Sequence, residues 1–186
     1  MIRLRDVTVS FGAVEALRVE SLQIDAGERV GVCGPNGSGK TTLLRVLAGL
    51  QQPTKGCVEG APPPGRIVLV HQHPYLFRGT ARENVTWGLR LHGRPEQEAD
   101  SWLERVGAGH LAQREAKSLS GGERRRIAVA RALAIGPEAL LLDEPLAALD
   151  EDGAAKIVSI MEEFSGTLVV AAPRVGDLSL ERTVDL

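Results

Sequence analysis

Two hydrophobic patterns along the chain predict its strands. Residues 2–9 and 21–24 alternate apolar and polar side chains, which favours strands with one solvated face. Four other segments are short and almost continuously apolar, which is typical of parallel strands buried on both faces. These segments are Arg29–Cys33, Ile67–Val70, Ala139–Asp143 and Thr167–Ala171.

Helical periodicity appears between these apolar runs. Apolar residues recur at i, i+3, i+4 and i+7 in two segments, which predicts helices that pack one face on a sheet. They are Leu43, Val46, Leu47 and Leu50 in the first segment, and Ile157, Ile160, Met161 and Phe164 in the second. Asp150 is placed to cap the second helix and Gly166 to end it. Strands that alternate with helices predict an α/β fold with right-handed crossovers.

The segment between Gln72 and Ser120 has a different character, with no convincing buried strand. Pro95 is expected to begin a helix there and Gly107 to end it. The apolar face of that helix would be Ala99, Trp102, Leu103 and Val106. Trp87 and Trp102 are expected to fill the core of a small subdomain. We therefore predict one domain, with a helical insert at 73–118 in a core of residues 1–72 and 119–186.

Composition and charge limit the classes of function that are expected for this chain. With 186 residues, a net charge of −2 and a pI near 6.1, the chain is not expected to capture nucleic acid electrostatically. Cys33 and Cys57 lack metal-ligand spacing and are interpreted as reduced thiols of a cytoplasmic protein. No signal peptide is recognised, and the longest apolar runs are too short to span a bilayer. A membrane role would therefore come through a partner.

A glycine-rich run after the first buried strand carries the most specific chemistry. It fits the pattern G-x-x-x-x-G-K-[ST] and lies between a predicted strand and a predicted helix, as a phosphate-binding P-loop requires. Backbone N–H groups of such a loop cradle phosphates, Lys40 would reach the β- and γ-phosphates, and the Thr41 hydroxyl would bind Mg²⁺. The predicted nucleotide-binding residues are Gly34, Pro35, Asn36, Gly37, Ser38, Gly39, Lys40, Thr41 and Thr42.

Two later segments also suit phosphate chemistry. Ser120 and Glu123 form an S-x-x-E capping box, and the helix N-terminus that follows can receive a phosphate. The arginines at 124–126 are interpreted as a solvated helix face. Asp143 and Glu144 follow a buried strand, at the sheet edge where α/β proteins bind ligands. Asp143 could hold Mg²⁺, and Glu144 could act as general base on the attacking water.

In combination, these segments resemble the ATP-binding subunit of ABC transporters over essentially the whole chain. The resemblance rests on the P-loop, Gln72, and the segments 119–123, 142–145 and 146–150. The Ser-Gly-Gly signature separates ABC proteins from other P-loop NTPases. The family implies a P-loop ABC ATPase fold, with a mostly parallel core sheet, an antiparallel β subdomain and a helical insert.

The resemblance also implies roles for individual residues, with ATP and Mg²⁺ as the bound groups. Phe11 would stack on adenine, and Gln72 would contact Mg²⁺ or the lytic water. Mg²⁺ would thus lie among Thr41, Gln72 and Asp143, and hydrolysis would depend on Glu144, Gln72 and Lys40. Ser120, Gly121 and Gly122 would complete the site on a second copy of the chain, with Asp150 at the dimer seam.

The family further implies partners and a location. Residues around 73–93 would form a groove for an integral membrane permease, and an extracytoplasmic solute-binding protein would take part indirectly. The chain would lie on the cytoplasmic side of the inner membrane. The segment 77–93 looks like that of importers of oxyanions such as tungstate, molybdate or phosphate.

One position departs from the family pattern. The strand at 167–171 is usually followed by a Thr-His pair whose histidine contacts the γ-phosphate, whereas Pro173 stands in that place here. Proline has neither an imidazole nor a backbone N–H. One alternative is therefore a subunit that closes on ATP but hydrolyses it poorly, unless Arg174 or His73 supplies the contact. Another is a soluble ABC protein for DNA repair or translation, although those usually carry two cassettes or long inserts.

Overall fold

The computed structural model describes residues 1–63, 65–176 and 178–186. In chain order its strands and helices are β1 (Ile2–Phe11), β2 (Val14–Ile24), β3 (Arg29–Cys33), α1 (Lys40–Leu47), β4 (Lys55–Glu59), β5 (Ile67–Val70), α2 (Ala81–Leu91), α3 (Glu98–Arg105), α4 (Gly121–Ala134), β6 (Ala139–Asp143), α5 (Glu151–Glu163), β7 (Thr167–Ala171) and β8 (Arg182–Asp185). Two short 3₁₀ turns, Gly109–Leu111 and Ala116–Ser118, precede α4.

The chain divides into two compact units. The first comprises Met1–Leu69, Glu138–Glu144 and Ser165–Leu186. The second comprises Val70–Pro137 and Pro145–Phe164. The segment 73–118, predicted as a helical insert, lies wholly in the second unit, which also contains α4 and α5.

The first unit contains a five-stranded sheet with the strand order β5-β6-β7-β3-β8. Its β6–β7, β7–β3 and β3–β8 pairs are parallel. The four apolar runs form β3, β5, β6 and β7 with the predicted bounds, and every residue of β6 and β7 is buried. Leu43 and Leu47 of α1 are fully buried in the core cluster beneath this sheet. The predictions of these four strands are therefore confirmed. They could be made because a strand that is covered on both faces is apolar at almost every position.

The antiparallel sheet of the first unit has the order β2-β1-β4, as the family resemblance implied. Its long hairpin pairs Ile2 with Ile24 and closes at Phe11 and Val14, so both strands extend beyond the predicted segments. Neither β4 nor β8 was predicted. Most of their side chains are exposed or half-buried, so these edge strands carry no apolar pattern.

Two predicted helix boundaries are wrong. α1 ends at Leu47, where the N–H groups of Gly49 and Leu50 donate to the carbonyls of Val46 and Arg45 in a Schellman motif. Leu50 lies beyond that end, is 64% exposed, and does not continue the buried face. α3 begins at Glu98 and not at Pro95, whose carbonyl instead accepts the Glu98 N–H in a preceding turn.

The second unit is helical. α2, α3 and α4 pack on one another, with Val85, Leu89, Leu103 and Ile127 fully buried. Trp87 is 45% exposed, so the prediction that it fills the core is wrong, and Trp102 is half-buried beneath the Arg105 guanidinium. Of the helices described, none combines the length and the apolar character needed to cross a membrane.

Candidate nucleotide-binding site

The glycine-rich loop joins β3 to α1, as its sequence context predicted. Cys33 ends the strand and Lys40 begins the helix. Gly39, immediately before the helix, has φ of +101°, and a Cβ there would lie 2.6 Å from the Ala16 carbonyl oxygen. Only glycine fits this position, because the backbone is left-handed and closely approached by β2.

Lys40 and Ser38 direct polar atoms into this loop. Lys40 is 6% exposed, and its Nζ donates to the carbonyl oxygens of Gly34 at 2.7 Å and Pro35 at 2.9 Å. The Ser38 Oγ is buried and has no hydrogen-bond partner among the residues that the structure describes. A buried hydroxyl needs a partner, and an ammonium group beside it favours an anion. The loop therefore fits a phosphate group.

Thr41 and Asp143 are brought together from distant parts of the sequence. The Thr41 Oγ1, in the first turn of α1, donates to Asp143 Oδ2 at 2.7 Å. Asp143 ends β6 and is only 4% exposed. Hydroxyl and carboxylate oxygens are ligands that Mg²⁺ accepts. This pair fits a magnesium ion beside the phosphate loop.

Glu144 is held in an unusual backbone conformation. Its φ of +49° lies in the left-handed region, which is uncommon for a residue with a Cβ. Its N–H donates to the Ala171 carbonyl oxygen at 2.7 Å, which ties the residue to the end of β7. Such strain tends to occur at functional sites, where the surrounding structure over-determines the backbone.

Pro173 lies at the same edge of the sheet. The Ala172 N–H donates to the Val32 carbonyl oxygen at 3.1 Å, so the chain after β7 runs beside the end of β3, just before the loop. Pro173 and Arg174 are both exposed. The proline places no hydrogen-bond donor at this edge.

The remaining predicted residues are distributed between the two units. Phe11, at the end of β1 in the first unit, is 54% exposed, so its ring has an open face. Gln72 lies in the second unit and is half-buried, and its carbonyl oxygen accepts a hydrogen bond from Arg125. Ser120, Gly121, Gly122 and Asp150 also belong to the second unit.

Ser120 caps α4 as predicted. Its Oγ accepts the Glu123 N–H at 3.2 Å, and its own N–H donates to Glu123 Oε2 at 2.7 Å, which completes the capping box. The Ser120 backbone N–H holds the pKa of Glu123 below its ordinary value, and the Ser120 side chain, Arg114 and Arg126 act in the same direction. The start of α4 is therefore a well-ordered helix N-terminus.

The signature residues share a pocket with Asp150. The pocket has a volume of about 300 Å³ and is lined by Ser120, Gly121, Gly122 and Asp150, together with Ala148. A Cβ on Gly122 would lie 2.9 Å from the Ala148 carbonyl oxygen, so the glycine allows close packing. Asp150 also caps α5, as predicted, by accepting the Gly153 N–H at 3.0 Å.

Sequence reasoning misjudged the arginine run. Arg125 is 4% exposed, so it is not part of a solvated face. Arg131, further along α4, was not singled out, although it donates to the Tyr75 carbonyl oxygen at 2.7 Å. Asn84 was also missed, and at 1% exposed it is buried in the second unit. No pattern distinguishes such arginines from solvated ones, because a helix has the same periodicity on both faces.

A groove of about 550 Å³ lies in the second unit, between residues 74–79 and residues 115–117. It is lined by Tyr75, Phe77, Arg78, Glu115 and Lys117, among others. The rings of Tyr75 and Trp87 beside it are 72% and 45% exposed. We call it the insert groove.

Comparison with known proteins identifies the family to which this chain belongs. The sequence profile of the ABC transporter family matches residues 17–147, and the chain belongs to this family. Curated relatives include sulfate/thiosulfate import ATP-binding proteins CysA from Shewanella oneidensis and Vibrio cholerae, each 43% identical to this chain. Each match covers 80% of this chain and 44% of the relative, so the chain spans less than half the length of these relatives.

Solved structures confirm the predicted fold class, the ABC ATPase P-loop fold. A dimeric post-hydrolysis state of the cassette MJ0796, bound to ADP and Pi, has a TM-score of 0.90 at 31% identity. That match covers 100% of this chain and 94% of the other. A bacterial Atm1-family ABC exporter with ATP bound has a TM-score of 0.88 at 26% identity, and covers 100% of this chain and 36% of the other.

Proposed function

We propose that this chain is the ATP-binding and ATP-hydrolysing subunit of an ABC importer. The observation that carries the proposal is the Thr41–Asp143 hydrogen bond of 2.7 Å, which places two Mg²⁺-type ligands beside the phosphate loop. Glu144 follows Asp143 directly and lies at the same strand end. A phosphate loop, a metal-binding pair and a candidate base are the groups that ATP hydrolysis requires.

Each residue has a distinct task in this mechanism. Lys40 binds the β- and γ-phosphates through its ammonium group, and the loop N–H groups bind the remaining phosphate oxygens. Thr41 and Asp143 would hold Mg²⁺, and Gln72 is the further ligand that the family resemblance implies. The ion would supply positive charge that neutralises part of the phosphate charge. Glu144 accepts a proton from the attacking water, and its fixed backbone limits the directions in which the carboxylate can point.

A second copy of the chain completes the site. Ser120, Gly121 and Gly122 present the N-terminus of α4 and its unpaired N–H groups, which favour a phosphate. The pocket that they share with Asp150 supports a contact at that point. The dimeric state of the related cassette MJ0796 supports two chains with ATP between them. Phe11 stacks on the adenine in this arrangement.

The transported solute belongs to the oxyanions. The curated relatives are named for sulfate and thiosulfate import, and both of these solutes are oxyanions. Tungstate, molybdate and phosphate belong to the same chemical class and stay within the proposal. An extracytoplasmic solute-binding protein, which would capture the solute outside the membrane, completes the proposed transport system.

The insert groove is where an integral permease docks, on the cytoplasmic side of the inner membrane. Exposed aromatic rings and basic groups line or flank this groove, and they suit a partner segment with apolar and acidic side chains. A related chain, cbiO1 from Clostridium perfringens, is described as part of the ABC transporter complex cbiONQ. It is 27% identical with a TM-score of 0.76, and covers 96% of this chain and 80% of that chain.

The test is purification from membranes of the native host, followed by an ATPase assay of the complex. An integral partner should co-purify. Asp143→Asn should lower the rate of ATP hydrolysis about 10²-fold or more, because it weakens the Thr41–Asp143 pair that is proposed to bind Mg²⁺. Asp152→Asn is the matched control, since Asp152 is exposed on α5 and pairs with Lys156. Equal activity of the two variants would contradict the assigned site.

A second candidate function is ATP binding with weak hydrolysis, and Pro173 favours it. The proline lies at the edge of the sheet beside the phosphate loop and offers no donor. Loss of one preorganised donor is worth a factor of about 10²–10³ in rate. The turnover of the isolated chain and of Pro173→His decides between the two candidates.

A further inference from the structure

Gly153 lies in the first turn of α5, at a position where glycine weakens the helix. The residue is buried and its backbone is helical, so no left-handed φ requires glycine there. Alanine is the better helix former, because glycine loses more backbone freedom on folding. The presence of glycine must therefore be explained by the side chains around it.

Two side chains occupy the space that a Cβ of residue 153 would need. Such a Cβ would lie 2.6 Å from Oδ1 of Asp150, which is closer than a Cβ approaches any heavy atom. It would also lie 3.4 and 3.6 Å from Cδ and Nε of Arg126, which are ordinary contacts. The same Oδ1 accepts the Gly153 N–H at 3.0 Å and so caps α5. A methyl group would therefore displace the Asp150 carboxylate, and Arg126 leaves the methyl group little room to move away.

The guanidinium end of Arg126 is held at the end of α3. Its Nη1 donates to the carbonyl oxygen of Gly107 at 2.8 Å and lies 3.5 Å from that of Val106. Carbonyl groups at a helix C-terminus carry partial negative charge, so they suit a cation. Lys156 of α5 packs on the same turn, where a Cβ on Gly107 would lie 2.5 Å from the Lys156 Cδ. Arg126 is therefore fixed where α3, α4 and α5 meet, within the second unit.

Arg126 and Asp150 both line the pocket of about 300 Å³ that contains the signature residues. We call this pocket, lined by residues 120–123, 126 and 148–150, the seam pocket. The Nε of Arg126 is buried and finds no hydrogen-bond partner in the described part of the chain. A buried donor without a partner is unfavourable and needs an explanation. Packing of the Arg126 stem against Gly153 accounts for it, because Nε then lies beside a residue that has no side-chain acceptor.

We propose that Gly153 and Arg126 are positioning residues that set the place of Asp150 at the dimer seam. Gly153 leaves room for the Asp150 carboxylate at the start of α5. Arg126 fixes that start relative to the signature residues, which belong to the same helix end as Arg126. The two walls of the seam pocket are thereby held in one arrangement for the second copy. The proposal rests on the proposed function, which places the signature residues and Asp150 at that seam.

The test compares the strength of the ATP-bound dimer in a Glu144→Gln background, which should stall hydrolysis. Sedimentation equilibrium with ATP–Mg²⁺ gives the dissociation constant of the dimer. Gly153→Ala should raise this constant at least about tenfold, because the displaced carboxylate is lost from both seams of a symmetric dimer. Arg126→Ala should change it in the same direction. The double variant should lose less than the two single losses combined, because removal of the Arg126 stem gives the methyl group room.

Two matched controls separate positioning from helix stability. Ala155→Gly, at an exposed position of α5, lowers helix propensity, whereas Gly153→Ala raises it. If helix stability alone governed the dimer, Ala155→Gly would weaken the dimer and Gly153→Ala would strengthen it. We expect instead an unchanged constant for the first variant and a raised constant for the second. Arg105→Ala removes an exposed arginine that also joins α3 to α5, through Glu163, and should leave the dimer unchanged.

Two further measurements show that each variant is folded. Each should bind ADP with the affinity of the background protein, because the phosphate loop belongs to the other unit, and each should unfold cooperatively in urea. Unchanged dimer constants in Gly153→Ala and Arg126→Ala, or an equal loss in the two controls, would overturn the positioning role but leave the proposed function standing. A background protein that binds ATP but stays monomeric would overturn both.

Discussion

Glycine at position 144 should make the protein more stable than alanine at the same position, and both substitutions should abolish hydrolysis. Glu144 has φ of +49°, and the left-handed region costs a residue with a Cβ about 1–2 kcal/mol. Glycine removes that cost, but its more flexible unfolded chain offsets about 0.4–1 kcal/mol of the gain. We therefore expect glycine to be about 0.5–1 kcal/mol more stable than alanine at this position.

Urea denaturation of Glu144→Gly and Glu144→Ala without nucleotide measures this difference. Both variants lack the carboxylate, so any interaction of the native side chain is lost equally, and the comparison isolates the backbone. The glycine variant should have the higher midpoint with an unchanged m-value. In a thermal scan its Tm should be higher by about 1–4 °C, given about 2–4 °C per kcal/mol at this chain length.

Two results would refute the reasoning. Equal midpoints, or a more stable alanine variant, would show that the backbone at Glu144 stores no strain. Hydrolysis at the wild-type rate in either variant would show that Glu144 is not the general base.

Three further outcomes are expected. Lys40→Ala should abolish tight ATP binding, since it deletes the positive charge on the β- and γ-phosphates; unchanged affinity in a calorimetric titration would contradict the assigned loop. Pro173→His should raise kcat by up to about 10²–10³-fold with little change in ATP affinity, because a restored donor acts mainly in the transition state. If kcat does not change and Arg174→Ala cripples hydrolysis, Arg174 already supplies the donor. The Ser120 N–H and the nearby cations lower the pKa of Glu123. The ionised carboxylate therefore stabilises the fold when the pH is above the ordinary pKa of a glutamate, and this contribution is lost as the pH falls through the lowered pKa. Urea denaturation should therefore show Glu123→Gln less stable than wild type at neutral pH, with the gap closing as the pH falls through the lowered pKa; a gap independent of pH would count against the cap.

The sequence predicted the buried parts of the fold well because burial restricts residue type. β3, β5, β6 and β7 have the predicted bounds, since strands covered on both faces must be almost wholly apolar. The edge strands β4 and β8 have mostly exposed or half-buried side chains, so their pairing depends on neighbours far away in the sequence. Leu50 fits the helical period of α1, but Gly49 ends the helix first.

The candidate site was predictable where a local motif fixes the backbone, and not where distant segments meet. The phosphate loop and the Ser120 cap follow from short sequence patterns. The positive φ of Glu144 and the burial of Arg125 depend on contacts with Ala171 and Gln72, which no local pattern reveals. An arginine within a charged run has the same sequence signal whether it faces solvent or a carbonyl oxygen.

The most direct test of the central claim is the ATP dependence of the oligomeric state of Glu144→Gln. This variant keeps the phosphate loop and the signature residues but should stall hydrolysis. Analytical ultracentrifugation should show a dimer with ATP–Mg²⁺ and a monomer without nucleotide, and adding Ser120→Arg should prevent the dimer by obstructing the α4 N-terminus. A Glu144→Gln protein that stays monomeric with ATP–Mg²⁺ at high protein concentration would contradict the account.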